Sequence, residues 1–287
     1  MINKLAIIGV GLIGSSLSLA LKQAAAVGQV VGYGRNRQNL ERGVELGVLD
    51  SFEASIADTV KGADVVVVAV PLGAMEQVFS ELKAAVSRQA VITDVGSAKG
   101  SVVAVARQEL EEIFSRFVPG HPIAGKEKSG VEAGSADLYR NRRVILTPVE
   151  ETEKQAIATI GQMWRNCGAL VEHLSVDHHD KVLAATSHLP HMLAYALVHQ
   201  LSSLNEQDEI FRYAAGGFRD FTRIASSDPV MWRDVCIANG DILVELIEHY
   251  QLELGQVADA IKAGDADKLL KLFGRAKSER DALIGHC

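Results

Sequence analysis

Glycines 9, 11 and 14 follow the apolar run Leu5-Ala6-Ile7-Ile8 and precede Ser15-Ser16-Leu17-Ser18-Leu19-Ala20-Leu21. That spacing has a chemical use. Gly9 lets the chain turn sharply off a strand. Gly11 lacks a Cβ, so a pyrophosphate can approach the backbone. Gly14 lets the following helix pack close, with its N-terminus toward the phosphates. Leu12 and Ile13 lie within the turn. A dinucleotide is therefore the expected ligand, and Val70 and Pro71, near the end of the apolar run that begins at Val65, are expected beside it. A plain strand-turn-helix is the alternative reading.

The nicotinamide type is read one strand further on. NAD units usually end the second strand with Asp or Glu, which bonds the ribose 2′-OH. Here Tyr33 is followed by Gly34, Arg35, Asn36 and Arg37. The acid is missing, and two guanidinium groups stand where a 2′-phosphate would sit. NADP is the expected preference. The alternative is NAD, held through Tyr33 and the backbone, with the arginines solvated.

Two further segments carry reactive side chains. Asp94-Val95-Gly96-Ser97-Ala98-Lys99 leaves a strand and enters a helix, presenting Ser97 and Lys99. Pro119-Gly120-His121-Pro122 follows another strand, with His121 in a rigid loop. In open α/β sheets ligands lie off the carboxyl ends of the strands. A histidine there is a candidate general base, because imidazole titrates near neutrality. The competing reading is a structural histidine.

The elements that must position these groups are legible. Strand-like runs occur at Leu5–Ile8, Val30–Tyr33, Val65–Val70, Val91–Thr93, Phe117–Val118, Val144–Leu146 and 169–174. Helical stretches alternate with them at 12–26, 37–46, 73–86, 99–114 and 152–165. Near-continuous Val/Ile runs suit strands buried on both faces, so the first half predicts a Rossmann-type, doubly wound parallel sheet. From about Val176 only helical spacing remains: 177–201, 207–214, 218–225, 229–249, 254–263 and 266–284. The predicted division is a dinucleotide-binding domain at 1–175 and an all-α domain at 176–287. The second half is apolar for a lone bundle, which suggests self-association.

Composition excludes other classes. Of 287 residues 48% are hydrophobic and the net charge is −7, so neither disorder nor a nucleic-acid surface is expected. The longest apolar run, 65–72, is too short to span a bilayer. A strand beginning near Leu5 leaves little room for a leader peptide. Cys167, Cys236 and Cys287 form no CxxC pair, which fits a reducing compartment and a cytoplasmic protein.

Taken together, Asp94-Val95-Gly96-Ser97-Ala98-Lys99 and His121-Pro122-Ile123-Ala124-Gly125 resemble the prephenate/arogenate dehydrogenase family of tyrosine biosynthesis. The helical half agrees. Ser187-His188-Leu189-Pro190-His191 resembles a motif in the family's first long helix. Gly217-Phe218-Arg219-Asp220-Phe221-Thr222-Arg223-Ile224-Ala225, with Ser227-Asp228-Pro229 and Met231-Trp232, resembles its substrate-arginine segment. The likeness runs in order from Leu5 to about Asn239.

The resemblance implies oxidative decarboxylation of a cyclohexadienol. It makes His121 the base, with Ser97 bonding both His121 and the substrate hydroxyl. Arg223 would bind a substrate carboxylate and Glu127 would pair with that arginine and gate the pocket. Trp232 would lie near the substrate, and the helical half would form a homodimer. His188 and His191 share a helix face. Without an HExxH glutamate or a cysteine they read as pocket lining rather than metal ligands, with packing as the alternative for His188, so no metal is expected. Lys126, after the His121 segment, is the position to watch for the substrate's keto or amino group. Being basic, it leans toward prephenate or dual use. His173, His178, His179, His199, His249 and His286 lack motif support and read as structural or solvated. Two rival functions remain: a β-hydroxyacid-type dehydrogenase using Lys181, and a non-catalytic dinucleotide-binding module. Ser97, His121 and Arg223 together speak against the second, since a sensor needs no proton acceptor.

Overall fold

A computed structural model of the chain describes residues 1–126 and 128–284. Its main sheet contains β1 (Ile2–Ile8), β2 (Val27–Tyr33), β3 (Ser51–Phe52), β4 (Val65–Val68), β5 (Val91–Asp94) and β6 (Phe117–Val118). All pairs are parallel, in the order β3-β2-β1-β4-β5-β6. Around it lie α1 (Leu12–Gln23), α2 (Arg37–Glu45), α3 (Ile56–Val60), α4 (Met75–Lys83), α5 (Gly100–Glu109) and α6 (Lys154–Asn166). Strand alternation sends Leu5, Ile7, Val65 and Val67 into a core with Leu17 and Leu21 of α1 and Trp164 of α6. Ala6, Ile8, Val66 and Val68 go into the opposite core, with Phe79 of α4 and Val102 of α5. Both faces are covered, as the unbroken apolar runs require. The chain runs outward from β1 to β3, then returns to place β4 on the other side of β1. That reversal opens a crevice at the carboxyl ends of β1 and β4.

Three expectations are corrected. First, the sheet does not absorb 144–146 and 169–174. A separate sheet forms from β7 (Gly120–Pro122), β8 (Arg143–Leu146) and β9 (Leu170–His173), with β7 antiparallel and β9 parallel to β8. Pro119 has no N–H to extend β6, and its carbonyl accepts instead from Thr147 N at 3.0 Å. His121 therefore stands in a strand, opposite Ile145, and not in a loop.

Second, the predicted helix 177–201 is three pieces: α7 (Val176–Leu183), a π-helical turn at Ala184–His188, and α8 (Leu189–Ser202). Pro190 lies in the first turn of α8 and cannot donate back to the preceding turn, so the helix widens there. After α9 (Gln207–Arg212) and α10 (Gly216–Thr222), α11 (Pro229–Ala238) stops at Asn239, which has φ −122° and ψ 33°. The Asn239 side chain donates inward to the Asp180 carbonyl at 3.0 Å. Third, α12 (Gly240–Ala263) runs unbroken through Gly255, where two helices were expected. A single mid-helix glycine costs only about 1 kcal/mol. The last element is α13 (Ala266–Ile284).

By contacts the chain divides into two compact units, 1–240 and 241–287. The second is helical and exposes Val244, Leu252, Leu254, Ile261, Leu270 and Phe273. Among the described residues no helix is long and apolar enough to cross a membrane.

Candidate active site

The glycine turn behaves as its spacing requires. Gly9 has φ +100°, and a Cβ there would meet the Ala69 carbonyl oxygen at 2.3 Å and Val70 Cγ1 at 3.1 Å. A Cβ on Gly14 would meet the Gly9 oxygen at 2.5 Å, whereas one on Gly11 would meet nothing within 4 Å. The turn is thus closed toward the protein and open at Gly11. No side chain caps α1, so its first-turn N–H groups are available to an acceptor. This cradle fits a dinucleotide pyrophosphate. Leu12 and Ile13 are half-buried, and the Ile13 carbonyl accepts from the Tyr139 hydroxyl at 2.7 Å. Val70 lines the turn. Pro71 is exposed and leads into a 3₁₀ turn, Leu72–Ala74.

At the end of β2, the Tyr33 carbonyl accepts from Gly9 N at 2.8 Å, joining the two strand ends. Asn36 caps α2, its side chain accepting from Asn39 N at 3.1 Å. Asn39 went unnoticed in the sequence, yet it ties the region together. Its amide donates to the Val10 carbonyl at 2.7 Å and accepts from Val131 N at 3.2 Å. Only the Asn36-x-x-Asn39 capping pattern hinted at it. Arg35 and Arg37 are both exposed, but Arg37 is engaged with Glu41 at 2.8 Å. Among the described residues Arg35 has no such pairing.

His121 is half-buried, at one end of a connected polar network. Its Nδ1 is 2.9 Å from Nε2 of His179, and His179 Nδ1 is 2.7 Å from Asp180 Oδ1. The Asp180 carboxylate also accepts from Lys99 N at 2.8 Å and Gly100 N at 2.7 Å, at the start of α5. Burial opposes its charge, but the His179 bond and these two N–H groups outweigh that and hold the carboxyl below its usual range. His179 is fully buried, not solvated.

Lys99 is buried as well, ion-paired to Asp94 and donating to the Gly120 carbonyl at 2.8 Å. Asp94 accepts from Gly120 N at 3.2 Å and Gly96 N at 2.7 Å. The pair therefore clamps both sides of Gly120, next to His121, so Lys99 acts in the scaffold. Desolvation, then the electrostatic influence of His179, Lys99 and His188, drives the His121 pKa well below an ordinary histidine. That shift favours the neutral ring, the form that can accept a proton. The bond recorded on its ring goes to His179, not to Ser97 as the resemblance implied. Half-buried Ser97 instead sets its backbone against His188.

His188 and His191 flank Trp232. The His191 ring stacks on the indole at 3.7 Å, and His188 meets it edge-on at 6.1 Å. His188 Nδ1 is 3.3 Å from the Asn239 amide, and His191 Nδ1 faces the Ser187 carbonyl at 2.8 Å. Among the described residues, buried Trp232 Nε1 has no hydrogen-bond partner, and buried His188 Nε2 has none of good geometry, the Ser97 backbone being the group set against that ring. Burial chiefly lowers His188 to about 4. Arg223 opens a 3₁₀ turn and is exposed, close enough to His191 to depress that imidazole's pKa, though burial is the larger cause. So His121, His188, His191, Trp232 and Arg223 form a connected series. Lys126 is not tied to it: its exposed ammonium donates to the Ala133 carbonyl at 3.3 Å. Glu127 lies outside the described residues.

A Rossmann sheet with an open glycine cradle, in a chain that also holds a half-buried histidine bonded to a His179–Asp180 pair, fits the class of NAD(P)-dependent dehydrogenases. The comparisons narrow this class. The prephenate dehydrogenase nucleotide-binding domain matches residues 17–173, and the prephenate dehydrogenase dimerization domain matches 175–275. The chain belongs to the prephenate dehydrogenase family. It is 38% identical to the cyclohexadienyl dehydrogenase of Zymomonas mobilis, across 97% of this chain and 95% of that one. It is also 38% identical to the prephenate dehydrogenase of Bacillus subtilis, across 96% of this chain and 74% of its relative. The crystal structure of A. aeolicus prephenate dehydrogenase with hydroxyphenyl propionate and NAD+ superposes with a TM-score of 0.91 at 35% identity, covering 99% of both chains. The Synechocystis arogenate dehydrogenase gives 0.81 at 25% identity, covering 98% of this chain and 99% of that one.

Proposed function

We propose that this enzyme oxidatively decarboxylates prephenate, arogenate or both, in tyrosine biosynthesis, with NADP preferred over NAD. The observation that carries the reading is His121: a half-buried imidazole, its pKa held low, whose Nδ1 is already engaged, leaving Nε2 for a substrate hydroxyl. Removing that proton as the ring carbinol becomes a ketone lets the ring carboxylate leave as CO2. Aromatisation supplies the driving force. Gly9, Gly11, Leu12, Ile13, Gly14, Val70 and Pro71 would hold a dinucleotide whose nicotinamide would supply the hydride acceptor. His188 Nε2 and Trp232 Nε1 supply donors to the substrate, and Arg223 pairs with a carboxylate. Arg35, exposed and unpaired among the described residues, supports the NADP preference. Lys181, the base a β-hydroxyacid-type enzyme would need, is exposed at the end of α7, away from the His121 bonds.

We take 1–175 as the dinucleotide half and 176–287 as the substrate and homodimer half. The apolar residues exposed on α12 and α13 support the homodimer. Scattered cysteines support a cytoplasmic location. Three measurements test these readings. Incubation with prephenate or arogenate and NADP should release CO2 and reduced cofactor together. His121→Asn should lower turnover by about 10²- to 10⁴-fold with cofactor binding kept. Near-wild-type turnover in that variant removes His121 from the mechanism. Light scattering at micromolar concentration should give the dimer mass, and a monomer mass refutes assembly.

A further inference from the structure

The hydrogen bonds around His121 run in one direction. Asp180 accepts from two backbone N–H groups and its ionised form is favoured, so toward His179 it is an acceptor. His179 Nδ1 must then carry a proton. With one proton on the neutral ring, His179 Nε2 is a lone pair, and it accepts from His121 Nδ1–H. His121 Nε2 is in turn left bare. Every tautomer in the chain follows from the one fixed charge at its end.

We propose that Asp180, acting through His179, sets the tautomer of His121 and balances the positive charge that forms when His121 Nε2 accepts a proton. This makes His179 and Asp180 positioning residues, and it rests on the reading of His121 as the base. The step balances simply. The substrate hydroxyl proton moves to Nε2, His121 becomes an imidazolium, and its Nδ1–H remains bonded to His179, whose Nδ1–H remains on the carboxylate. No proton enters the Asp180 carboxylate. The protein is built to keep this line straight. Asn239 fixes the Asp180 main chain, the N-terminus of α5 holds its carboxylate, and the Asp94–Lys99 pair fixes Gly120. Partial desolvation weakens His121 as a base, and an anion two rings away offsets that loss without occupying the substrate's space. Apart from the relay, the charged or titratable groups facing His121 are Lys99 before α5 and His188 in the π turn, with Asp94 reaching it through Gly120.

Asp180→Asn reverses the chain: an amide N–H aimed at His179 Nδ1 puts the His179 proton on Nε2 and forces His121 to carry its own on Nε2. Nitrogen-15 NMR of the imidazoles reads this without any substrate. Wild type should show His121 protonated at Nδ1, and Asp180→Asn should show it at Nε2. Turnover should fall about 10²- to 10⁴-fold in that variant, with substrate KM and cofactor Kd within about threefold of wild type. Because Asp180 also anchors α5, a second pair guards against misfolding. His179→Phe should lose turnover to a similar extent, and His179→Gln, whose amide oxygen still accepts from His121, should recover at least about tenfold of it. An Nε2-protonated His121 in wild type overturns the proposal, as does equal turnover in the Phe and Gln variants. If the tautomers are as stated but neither prephenate nor arogenate is oxidised, the proposed substrate is wrong while the relay stands.

Discussion

The rings of His191 and Trp232 lie face to face, 3.7 Å between centroids and 23° from parallel. The stack leaves Trp232 Nε1 buried and unbonded, which costs stability unless a ligand supplies an acceptor. Trp232→Phe keeps the stack and drops the donor. It should raise substrate KM by about 10-fold with little change in melting temperature. Trp232→Ala should instead cost about 3 kcal/mol of stability. A lowered melting temperature with normal KM in the Phe variant would make the tryptophan a packing residue only.

Acid should destabilise the fold through its buried imidazoles. His188 is lowered from 6.5 to about 4, mainly by burial, and His121 is lowered well below 6.5 with desolvation as its main cause. Below 6.5 the unfolded chain binds protons that the native state refuses. Stability is thus full above that value and is lost as pH falls toward the native pKa, by up to about 3 kcal/mol for His188. Urea midpoints measured from about pH 7.5 down to about pH 5 should fall, and His188→Asn should flatten the slope. Turnover should hold through the ordinary histidine range and decline only in more acidic buffer. An activity pKa at or above 6.5 would contradict a desolvated base.

Cofactor choice should turn on positions 34 and 35. A Cβ at Gly34 would meet only Leu40 Cδ2, at an ordinary 3.6 Å, so an acid is tolerated there. Gly34→Asp with Arg35→Ala should shift the NADP/NAD ratio of kcat/KM by about 10-fold or more toward NAD. Arg37→Ala should do much less, since that side chain already bonds Glu41. An unchanged ratio in the double variant would show that these residues do not read the 2′ position.

Arg223→Gln should raise substrate KM by about 10- to 100-fold and change kcat far less, because a carboxylate is held in ground and transition states alike. Arg223→Lys should restore only part of the affinity, lacking the planar fork. Arg223 is exposed, so a large stability loss is not expected. Melting temperature and KM on one preparation separate anchoring from structure: unchanged KM with a lowered melting temperature would end the anchoring role.

Local spacing alone carried the dinucleotide unit. Gly9 takes a positive φ and Gly14 packs on the Gly9 carbonyl five residues back, while Gly11 stays open, and the Val/Ile runs of β1 and β4 declare their burial on both faces. His121 was legible for a similar reason, bracketed by Gly120 and Pro122. Its surroundings were not. His121 and His179 are 58 positions apart, and their meeting depends on Pro119 ending β6, on β7 turning to pair with β8, and on α5 presenting Lys99 N and Gly100 N to Asp180. Nothing near His179 distinguishes it from the adjacent His178, which a single step along the helix points elsewhere. Lys99 shows the converse: a cation beside a strand end reads as chemistry, yet its Asp94 partner makes it scaffold. Residue types and short-range periodicity determine which elements form. Which buried polar groups face one another is settled by how distant elements pack, because a desolvated charge must find its partner wherever the fold brings one.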